Sequence, residues 1–574
     1  MINYKKLTAA IAAGIIAIFT ITGCAMPWQK AADDSSSNVS TVSAGNLSQS
    51  GENALSLEFD SEDLDSSYNE SECTKINLSG SGATVSGSGV TVENGNITIT
   101  SAGSYIISGT LTDGSIKVNC SEKGTVRLIL NSASISSSST APVVVEEAKK
   151  VLVTLADGTT NTITDKTRQS VDDEDFSSAV YSKADLVFNG SGTLNVNAGY
   201  RNGIKSTDDL KVVSGTFNIT SNEDGIIGKD FLGIKDGKFT IKSGSDGMKS
   251  TYDTDTSKGN IVITGGEFDI TASNDGVHCN EDILISGGNL TISSGDDGVH
   301  ADAALQVDGG TIDIKKCYEG LEGVHITLND GDISIVASDD GINEADGSSS
   351  SGMGMGGFGG GQASSSDSSV LLTINGGNIF VNAGGDGLDS NGNIVMNGGN
   401  VTVLGPTSDG DTALDFDGAF TINGGVLMAF GSSGMLETPT TAQNGCCIVT
   451  TLGTVSANSA FSLTDSSGNV IMSYIPTKNY ASAIVYSSDI KSGSTYTVTA
   501  GSTTQSITVN SNVTTNGVSG GFGGGQNGGF GGGQRGGQPG GSNQQGGNQQ
   551  GGMPGGNSGN GRSNSASSST VNQV

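Results

Sequence analysis

A carboxylate stands directly before a glycine about once every twenty-two residues through the middle of this 574-residue chain. The repeated positions read, in order, Asn202, Asp224, Asp246, Asp275, Asp297, Glu319, Asp340, Asp386 and Asp409. If the repeats stack on one another, neighbouring carboxylates lie about 5 Å apart and repel each other by roughly 1 kcal/mol even at the dielectric constant of water. We therefore expect a cation to neutralise them.

Calcium is the cation that this chemistry favours. It takes about six to eight oxygen ligands in a flexible geometry, and the chain offers many carboxylates but only three histidines. The residues predicted to bind calcium are Asp208, Asp209, Asp224, Asp230, Asp246, Asp275, Asp296, Asp297 and Asp340. The alternative interpretation is that an aspartate before a glycine only shapes the turn, because its side chain caps nearby amides. Bound calcium would also bridge this acidic surface to the carboxylate of an acidic sugar.

Basic and aromatic side chains near the same positions are the candidates for contacting a sugar. They are Arg201, Lys205, Lys229, Lys249, Tyr252 and Tyr318. An arginine or lysine beside calcium could also be the base of a β-elimination, so a calcium-dependent polysaccharide lyase of the pectate-lyase type is the alternative function. No catalytic residue is assigned, because acidic pairs recur in several repeats and no histidine and arginine motif distinguishes one of them. His278 and His300 occupy equivalent positions and are expected to be structural or exposed.

Short strands are the elements that must position these residues. The glycine directly after each repeated carboxylate is the first glycine of the repeat, and a second glycine follows it by about twelve residues. The residues after the second glycine alternate between polar and apolar, as in Gly215–Ile219 and Gly310–Ile314. Self-similarity at a fixed period predicts a solenoid, and no segment of the repeat has the periodicity of a helix. The chain is therefore predicted to be all-β, a right-handed parallel β-helix with three short strands per coil and β-rich caps at both ends.

The predicted domain boundaries follow from where this period begins and ends. The parts are a lipoprotein signal peptide at 1–23, a disordered tether at 24–53, an N-terminal β cap with the first coils at 54–195, regular coils at 196–425 with an inserted loop at 343–369, a C-terminal β-rich cap at 426–515 and a disordered Gly/Gln/Asn-rich tail at 516–574. The heptad Gly-Gly-Phe-Gly-Gly-Gly-Gln occurs twice in the tail and once in the inserted loop. It suggests weak self-association, beside the simpler role of a spacer.

The first residues have the pattern of an export signal. Lys5 and Lys6 precede an apolar run that ends in Ile21-Thr22-Gly23-Cys24, which has the form of a bacterial lipoprotein cleavage box. Cleavage would leave Cys24 lipidated, so the protein is expected on the extracellular face of the cell membrane, attached through the lipid anchor only. The other six of the seven cysteines are consistent with one disulfide or none.

The net charge excludes one class of partner. After loss of Lys5 and Lys6 with the signal, 25 of the 27 lysines and arginines remain against 59 carboxylates, which is a net charge of −34. Nucleic acid is itself a polyanion and is therefore excluded as a partner.

Four short stretches between about Ser56 and Ser511 carry a family resemblance. They are Ile106-Ile107-Ser108-Gly109-Thr110-Leu111, Leu128-Ile129-Leu130-Asn131, Asn202-Gly203-Ile204-Lys205 followed by Asp208-Asp209-Leu210, and Asp224-Gly225-Ile226-Ile227-Gly228-Lys229-Asp230. In these stretches the chain resembles bacterial cell-surface carbohydrate-binding β-helix proteins, which bind cellulose and polygalacturonate and have a calcium-bearing fold like that of pectate lyases.

This resemblance implies a non-catalytic binder of polysaccharide. The residues that it places near calcium or sugar sites are Asp208, Asp209, Asp224, Asp230 and Asp246. Thr207 departs from the family pattern, in which a lysine is expected before the two aspartates. The single tryptophan, Trp28, lies in the predicted tether, so acidic polysaccharide is favoured over crystalline cellulose, which usually stacks on aromatic rings. A structural wall or matrix protein with calcium-dependent stability is the third hypothesis.

Overall fold

The computed structural model describes residues 55–168, 176–252, 254–345 and 371–518. Over these ranges it contains 46 strands and one short helix, Ser61–Leu64, which confirms the prediction of an all-β chain. No helix in the same ranges is long and apolar enough to span a membrane. The predicted lipidation site Cys24, the signal, the whole tether, most of the inserted loop and the tail from residue 519 onward lie outside the described residues, so those predictions stay predictions.

Most strands fall into three series, and within each series a strand pairs in parallel with the equivalent strand of the next repeat. Series 1 follows the first glycine of the repeat and comprises Asn96–Ile99, Ser115–Asn119, Val143–Glu147, Ser178–Ser182, Asn202–Ser206, Ile226–Gly228, Met248–Ser250, Val277–Cys279, Val299–Val307, Leu321–Leu328, Ile342–Glu344, Leu388–Ser390 and Leu414–Phe416. Its strands carry the residues on which the candidate site depends.

Series 2 and series 3 complete each repeat. Series 2 comprises Thr74–Gly80, Gly103–Leu111, Thr125–Ser137, Lys150–Leu155, Asp185–Gly190, Asp209–Val212, Phe231–Ile234, Asn260–Ile263, Ile283–Ile285, the second parts of Val299–Val307 and Leu321–Leu328, Leu371–Ile374, Asn393–Met396, Phe420–Ile422 and Thr441–Ala442. Series 3 comprises the second part of Thr125–Ser137, Thr160–Asp165, Thr193–Ala198, Thr216–Ser221, Lys238–Ser243, Glu267–Ala272, Asn289–Ser293, Thr311–Cys317, Asp332–Ala337, Asn378–Asn382, Asn400–Leu404 and Val426–Gly431.

Antiparallel strands occur at both ends of the described chain. Near the N terminus, Gly82–Ser86 pairs with Thr74–Gly80 and Val90–Glu93 pairs with Asn96–Ile99. Toward the C terminus, Tyr480–Ser487 pairs with the last strand of series 3 and with Cys446–Val455, which also runs parallel to Val513–Asn516. A separate antiparallel sheet has the strand order Val470–Tyr474, Phe461–Thr464, Thr495–Ala500 and Thr503–Thr508. These pairings satisfy strand edges that a purely parallel stack would leave open.

The core is built from inward-facing residues that repeat in register. Phe217, Phe239 and Phe268 stack with ring centroids 4.9 and 4.8 Å apart, and each is at most 4% exposed. This spacing matches the distance between hydrogen-bonded strands, so equivalent residues of successive repeats contact each other directly. The apolar columns expected from the sequence are therefore buried.

The two positions of each repeat require glycine for different physical reasons. The second glycine, such as Gly237, adopts a positive φ of 141°, where other residues are strained. The first glycine does not adopt a positive φ. A Cβ at Gly247 would instead meet the carbonyl oxygen of Gly276, in the next repeat, at 2.5 Å. The first glycine is thus needed because successive repeats approach each other closely at series 1.

The prediction that Asp409 and Gly410 are the last acidic residue and first glycine of the repeats is wrong. Leu388 pairs with Leu414, and the amide of Gly387 donates to the carbonyl of Thr412. Thr412 and Ala413 therefore occupy the places of the acidic residue and the glycine in this repeat. The period was misleading here because Asp409-Gly410 lies in the preceding turn, at nearly the expected spacing.

A buried lysine ties the N-terminal segment to series 2. The side chain of Lys150 is 7% exposed, and its Nζ lies 2.7 Å from Asp63, 2.8 Å from Glu62 and 3.0 Å from Asp60. Burial opposes its charge, but these three carboxylates raise the pKa of Lys150 well above its ordinary value. The short helix Ser61–Leu64 is thereby held against the stack.

Replacing this lysine should loosen the N-terminal segment. We expect Lys150→Met to cost about 2 kcal/mol in urea unfolding, because Asp63 would stay buried without a counter-ion while the more exposed Asp60 and Glu62 regain water. Lys75→Met is the matched control, since the Lys75–Glu70 pair is exposed on both sides and should change stability by less than about 0.5 kcal/mol. Equal effects of the two substitutions would contradict a structural role for Lys150.

Candidate functional site

The residue before the first glycine forms what we call the acidic column. Its members are Asn202, Asp224, Asp246, Asp275, Asp297, Glu319, Asp340, Asp386 and Thr412. The backbone amide of Asp246 donates to Oδ1 of Asp224 at 3.0 Å, and that of Asp275 donates to Oδ1 of Asp246 at 3.2 Å. The same bond recurs between Asp340 and Asp386 at 2.6 Å. One carboxylate oxygen thus caps the next repeat, as the turn-forming interpretation expects, and the other oxygen can interact with something else.

A second set of side chains lies beside the acidic column, two residues after each first glycine. This outer column consists of Lys205, Ile227, Lys249, His278, His300, Glu322, Asn343, Asp389 and Asp415, which pair in register. The charged side chains of the outer column change from basic to acidic along the chain. The face therefore divides into a mixed section, where Lys249, His278 and His300 accompany the acidic column, and an anionic section from Glu319 to Asp415.

In the mixed section the carboxylates already have cationic partners. Lys249 Nζ lies 2.6 Å from Asp246 Oδ2, and His278 Nδ1 lies 3.5 Å from the same oxygen and 3.5 Å from Asp275 Oδ2. Although burial acts to raise it, the nearby His278 and the hydrogen bond from Lys249 hold the pKa of Asp246 below its ordinary range. Burial acts to lower the pKa of His278, but the neighbouring carboxylates raise it to about 9. Asp246 is thus satisfied by the protein itself.

In the anionic section beyond Glu322, the charged neighbours of each carboxylate are other carboxylates. Burial, followed by repulsion from Asp340 and Asp415, raises the pKa of Asp389 to about 8. Burial likewise raises the pKa of Asp340 and of Asp386 to about 7, with further contributions from nearby acids. Glu322 has His300 as a partner at 3.3 Å, but among the described residues no ion pair relieves the charge of Asp340, Asp386, Asp389 or Asp415. A divalent cation would do so.

A buried hydroxyl group in the same section also has no partner. Thr412 replaces the carboxylate of the acidic column in its repeat and is 1% exposed. Its backbone amide donates to Asp386 Oδ1 at 2.5 Å, but its Oγ1 has no hydrogen-bond partner. A buried polar atom without a partner is costly, and this one belongs to a residue whose backbone is bonded to the carboxylate of Asp386.

The remaining predicted metal ligands fall into separate groups. Asp208 and Asp209 lie with Asp185 in one carboxylate group, and Lys211 is 3.2 Å from Asp209. Asp230 is paired with Lys258. The exposed Asp296 joins Asp275 and Asp297 in a third group. Their assignment to calcium stays a prediction.

The predicted sugar contacts are also dispersed. Arg201 Nε lies 3.6 Å from Glu223, and its guanidinium lies over the ring of Tyr200. Lys229 and Lys258 lie over the ring of Tyr252, with Nζ atoms 5.2 and 4.7 Å from its centre. Lys249 is engaged by Asp246, and Lys205 lies in the same outer column. Tyr318 is 46% exposed beside the anionic section, where a hydrogen bond to Asp339 raises its pKa to about 12.

Five acids of the two columns in the anionic section were not predicted as metal ligands from the sequence. They are Glu319 and Asp386 in the acidic column and Glu322, Asp389 and Asp415 in the outer column. The signal was present two residues after the glycine, where Lys249, His278 and His300 give way to acids. The prediction treated only the residue before the glycine as a column and so missed this change of sign.

A buried glutamate near this section provides a pH test. Glu344 is 0% exposed, accepts a hydrogen bond from Ser390 Oγ, and has one oxygen without a partner. Burial is the main reason that its pKa rises to about 8. The folded state therefore keeps a proton that the unfolded state loses near pH 4.5, so this group makes stability fall as pH rises from about 4.5 to 8.

We expect Glu344→Gln to remove this part of the pH dependence. At pH 8 the variant should be roughly 2 kcal/mol more stable than the parent, and near pH 4.5 the two should be alike. Urea unfolding at several pH values measures the difference. The exposed Glu147→Gln is the control and should leave the profile unchanged. A Glu344→Gln profile parallel to that of the parent would show that Glu344 is not held protonated.

The comparisons with known proteins each cover less than half of the chain. A family model described as carbohydrate-binding domain-containing protein matches residues 93–341. A relative of that name from Acetivibrio thermocellus is 34% identical over 123 residues, which are 21% of this chain and 43% of the relative, so the chain spans less than half the length of that protein. A solved structure described as a polysaccharide lyase-like protein from C. thermocellum, in a gadolinium derivative, is 29% identical with a TM-score of 0.40 and covers 41% of this chain and 96% of that one. Residues 93–341 are thus similar to the carbohydrate-binding domain family.

Proposed function

We propose that this protein is a non-catalytic, cell-surface binder of acidic polysaccharide of the plant cell-wall type, such as polygalacturonate, and that calcium mediates the binding. The observation that carries the proposal lies in the anionic section, where Asp340, Asp386, Asp389 and Asp415 are partly buried carboxylates without cationic partners. The match of residues 93–341 to carbohydrate-binding domain proteins supports the class of ligand.

The scaffold that we propose is a right-handed parallel β-helix with β-rich caps. Three parallel series with one strand each per repeat support this arrangement, because a chain that returns to the same series every twenty-two residues must wind around a common core. Such a scaffold would present the acidic and outer columns as a straight row, with one position every strand spacing of about 4.8 Å.

Calcium would be held first of all in the anionic section. Asp340, Asp386, Asp389 and Asp415 offer carboxylate oxygens, and Thr412 Oγ1 offers a buried oxygen without a partner. An all-oxygen set with several carboxylates is the set that calcium prefers. The ion would supply positive charge that binds an anionic ligand, while the protein oxygens fix where that charge lies.

The electrostatic reason for calcium follows from the sign of the charges. A protein with a formal net charge of −32 and a polyuronate repel each other, so direct contact between the two is unfavourable. An ion held by protein carboxylates can share its remaining positions with uronate carboxylates. Lipidation at Cys24 would keep this surface on the outer face of the cell membrane.

A polysaccharide panel separates the candidate functions. The full chain should be retained on polygalacturonate in calcium and released by chelator, with weaker retention on xylan and on cellulose. Release of unsaturated sugars, abolished by Arg201→Ala, would instead establish a lyase. Calcium-dependent unfolding without retention on any polysaccharide would favour the structural wall or matrix protein and reject binding.

A further inference from the structure

The mixed section contains two histidines to which the proposed function gives no role. The sequence Asp-Gly-Val-His occurs at 275–278 and again at 297–300. His278 and His300 pair in register on neighbouring strands of series 1, and their rings stack with centroids 4.9 Å apart. Glu322 follows them in the outer column. The second of these histidines therefore lies between an aspartate of its own repeat and a glutamate of the next.

Three atoms that could bind one metal ion, from Asp297, His300 and Glu322, lie close together. Its Nδ1 lies 3.1 Å from Asp297 Oδ2 and 3.3 Å from Glu322 Oε2, and one ligand atom from each residue can be chosen so that all lie within 4.8 Å of one another. A zinc-class ion binds nitrogen and oxygen at about 2.0–2.2 Å, so two ligand atoms of the same ion are about 3.0–3.5 Å apart. Both measured separations fall in that interval.

A buried carboxylate oxygen of Asp297 without a hydrogen-bond partner is a second, independent indication of a ligand. Asp297 is 4% exposed, and its Oδ1 has no hydrogen-bond partner. Its other oxygen, Oδ2, is the one that faces His300. A carboxylate that is buried with one oxygen unsatisfied is destabilising, and an ion bound by Asp297, directly or with a bound water, would satisfy it.

The far side of the imidazole ring is also arranged for ligation. His300 Nε2 lies 3.2 Å from Asp302 Oδ1. Histidines that bind metals usually donate the other ring N–H to a carboxylate, which fixes the ring and makes the ligating nitrogen more basic. Asp302 is therefore a positioning residue, because it leaves Nδ1 directed at Asp297 and Glu322.

We propose that Asp297, His300 and Glu322 form a binding site for a divalent transition metal of the zinc class. The imidazole nitrogen distinguishes this site from one for calcium, which takes oxygen ligands. His300 and Glu322 remain 24% and 22% exposed, so the ion can enter from solvent and keep positions open to water or to an oxygen of a ligand. The alternative is a metal-free cluster in which a protonated His300 bridges the two carboxylates.

Titration of the full chain with metal decides between these states. Zinc chloride is added to chelator-treated protein in a large excess of calcium, and cobalt(II) is used in parallel because its visible absorption reports nitrogen and oxygen ligation. We expect saturable zinc binding in the micromolar range or tighter, and a cobalt spectrum that changes on binding. His300→Gln and Glu322→Gln should each weaken zinc binding at least tenfold, and Asp302→Asn should weaken it about 10–100-fold.

The controls keep the test independent of folding and of polysaccharide. His325→Gln removes a histidine of series 2 outside the three ligands and should leave zinc affinity unchanged. Circular dichroism and urea unfolding of each variant verify that it folds. Zinc affinity that is the same in His300→Gln and the parent, or no zinc binding at micromolar concentrations, would overturn the site and establish the metal-free ion cluster. Neither result depends on polysaccharide binding, so calcium-dependent retention on polygalacturonate can fail or succeed separately.

Discussion

Millimolar calcium should stabilise the full chain against urea by about 3 kcal/mol. This is the free energy expected when a ligand is present at about one hundred times its dissociation constant and binds only the folded state. The physical reason is the anionic section, where burial and mutual repulsion raise the pKa of Asp389 to about 8 and that of Asp386 to about 7. Bound calcium would remove both the repulsion between these carboxylates and the need for them to be protonated.

The double substitution Asp386→Asn with Asp389→Asn should have opposite effects on the free energy of unfolding in chelator and in calcium. In chelator at pH 8 the variant should be more stable than the parent, because two buried charges are gone and the side-chain carbonyl introduced at position 386 can still accept the amide hydrogen of Thr412. In calcium it should be the less stable of the two. The exposed Asp269→Asn, in series 3, is the matched control and should respond to calcium as the parent does. An equal calcium response of the double variant and the parent would show that the anionic section does not bind the ion.

Adding one methyl group at Gly247 should be among the most damaging substitutions in the chain. The new Cβ would lie 2.5 Å from the carbonyl oxygen of Gly276 and 2.5 Å from Cγ2 of Ile270. Gly276 belongs to the next repeat and Ile270 lies in the series 3 strand just before it, so relief requires these strands to move apart and weakens the series 1 hydrogen bonds. We expect Gly247→Ala to cost about 3–5 kcal/mol, at or above the upper end of ordinary overpacking. Urea unfolding followed by circular dichroism measures this cost.

Gly410→Ala provides the comparison that isolates this cause. A Cβ at Gly410 meets nothing within 4 Å, and its φ lies outside the left-handed region. Its substitution should therefore change stability by less than about 0.5 kcal/mol. If Gly247→Ala were equally harmless, the close approach of successive repeats at series 1 would be wrong.

The strands and the core could be predicted from the sequence because both depend on local alternation. Phe217, Phe239 and Phe268 recur at the period of the repeat, and parallel pairing in register then places them in contact. The position of the acidic column followed from the same period. The predicted column was wrong at Asp409-Gly410, because a turn of unusual length shifts the register there. Only the pairing of Leu388 with Leu414 reveals this shift.

Which carboxylates keep a free charge could not be predicted in the same way. Asp230 is neutralised by Lys258, which is 28 residues away in a segment outside the regular strands. Asp246 is shared between Lys249 of its own repeat and His278 of the next. Such partners depend on how side chains cross between repeats. The change from Lys249 to Asp389 along the outer column, in contrast, was visible in the sequence at a fixed distance from each first glycine.

Affinity of the full chain for soluble polygalacturonate, measured with calcium and with chelator, is the decisive measurement for the proposed function. We predict binding in calcium, loss of binding in chelator, at least tenfold weaker binding by the Asp386→Asn, Asp389→Asn double variant, and no release of unsaturated sugar. Binding that is equally strong in chelator, or that the double variant retains in full, would contradict calcium-mediated recognition through the anionic section.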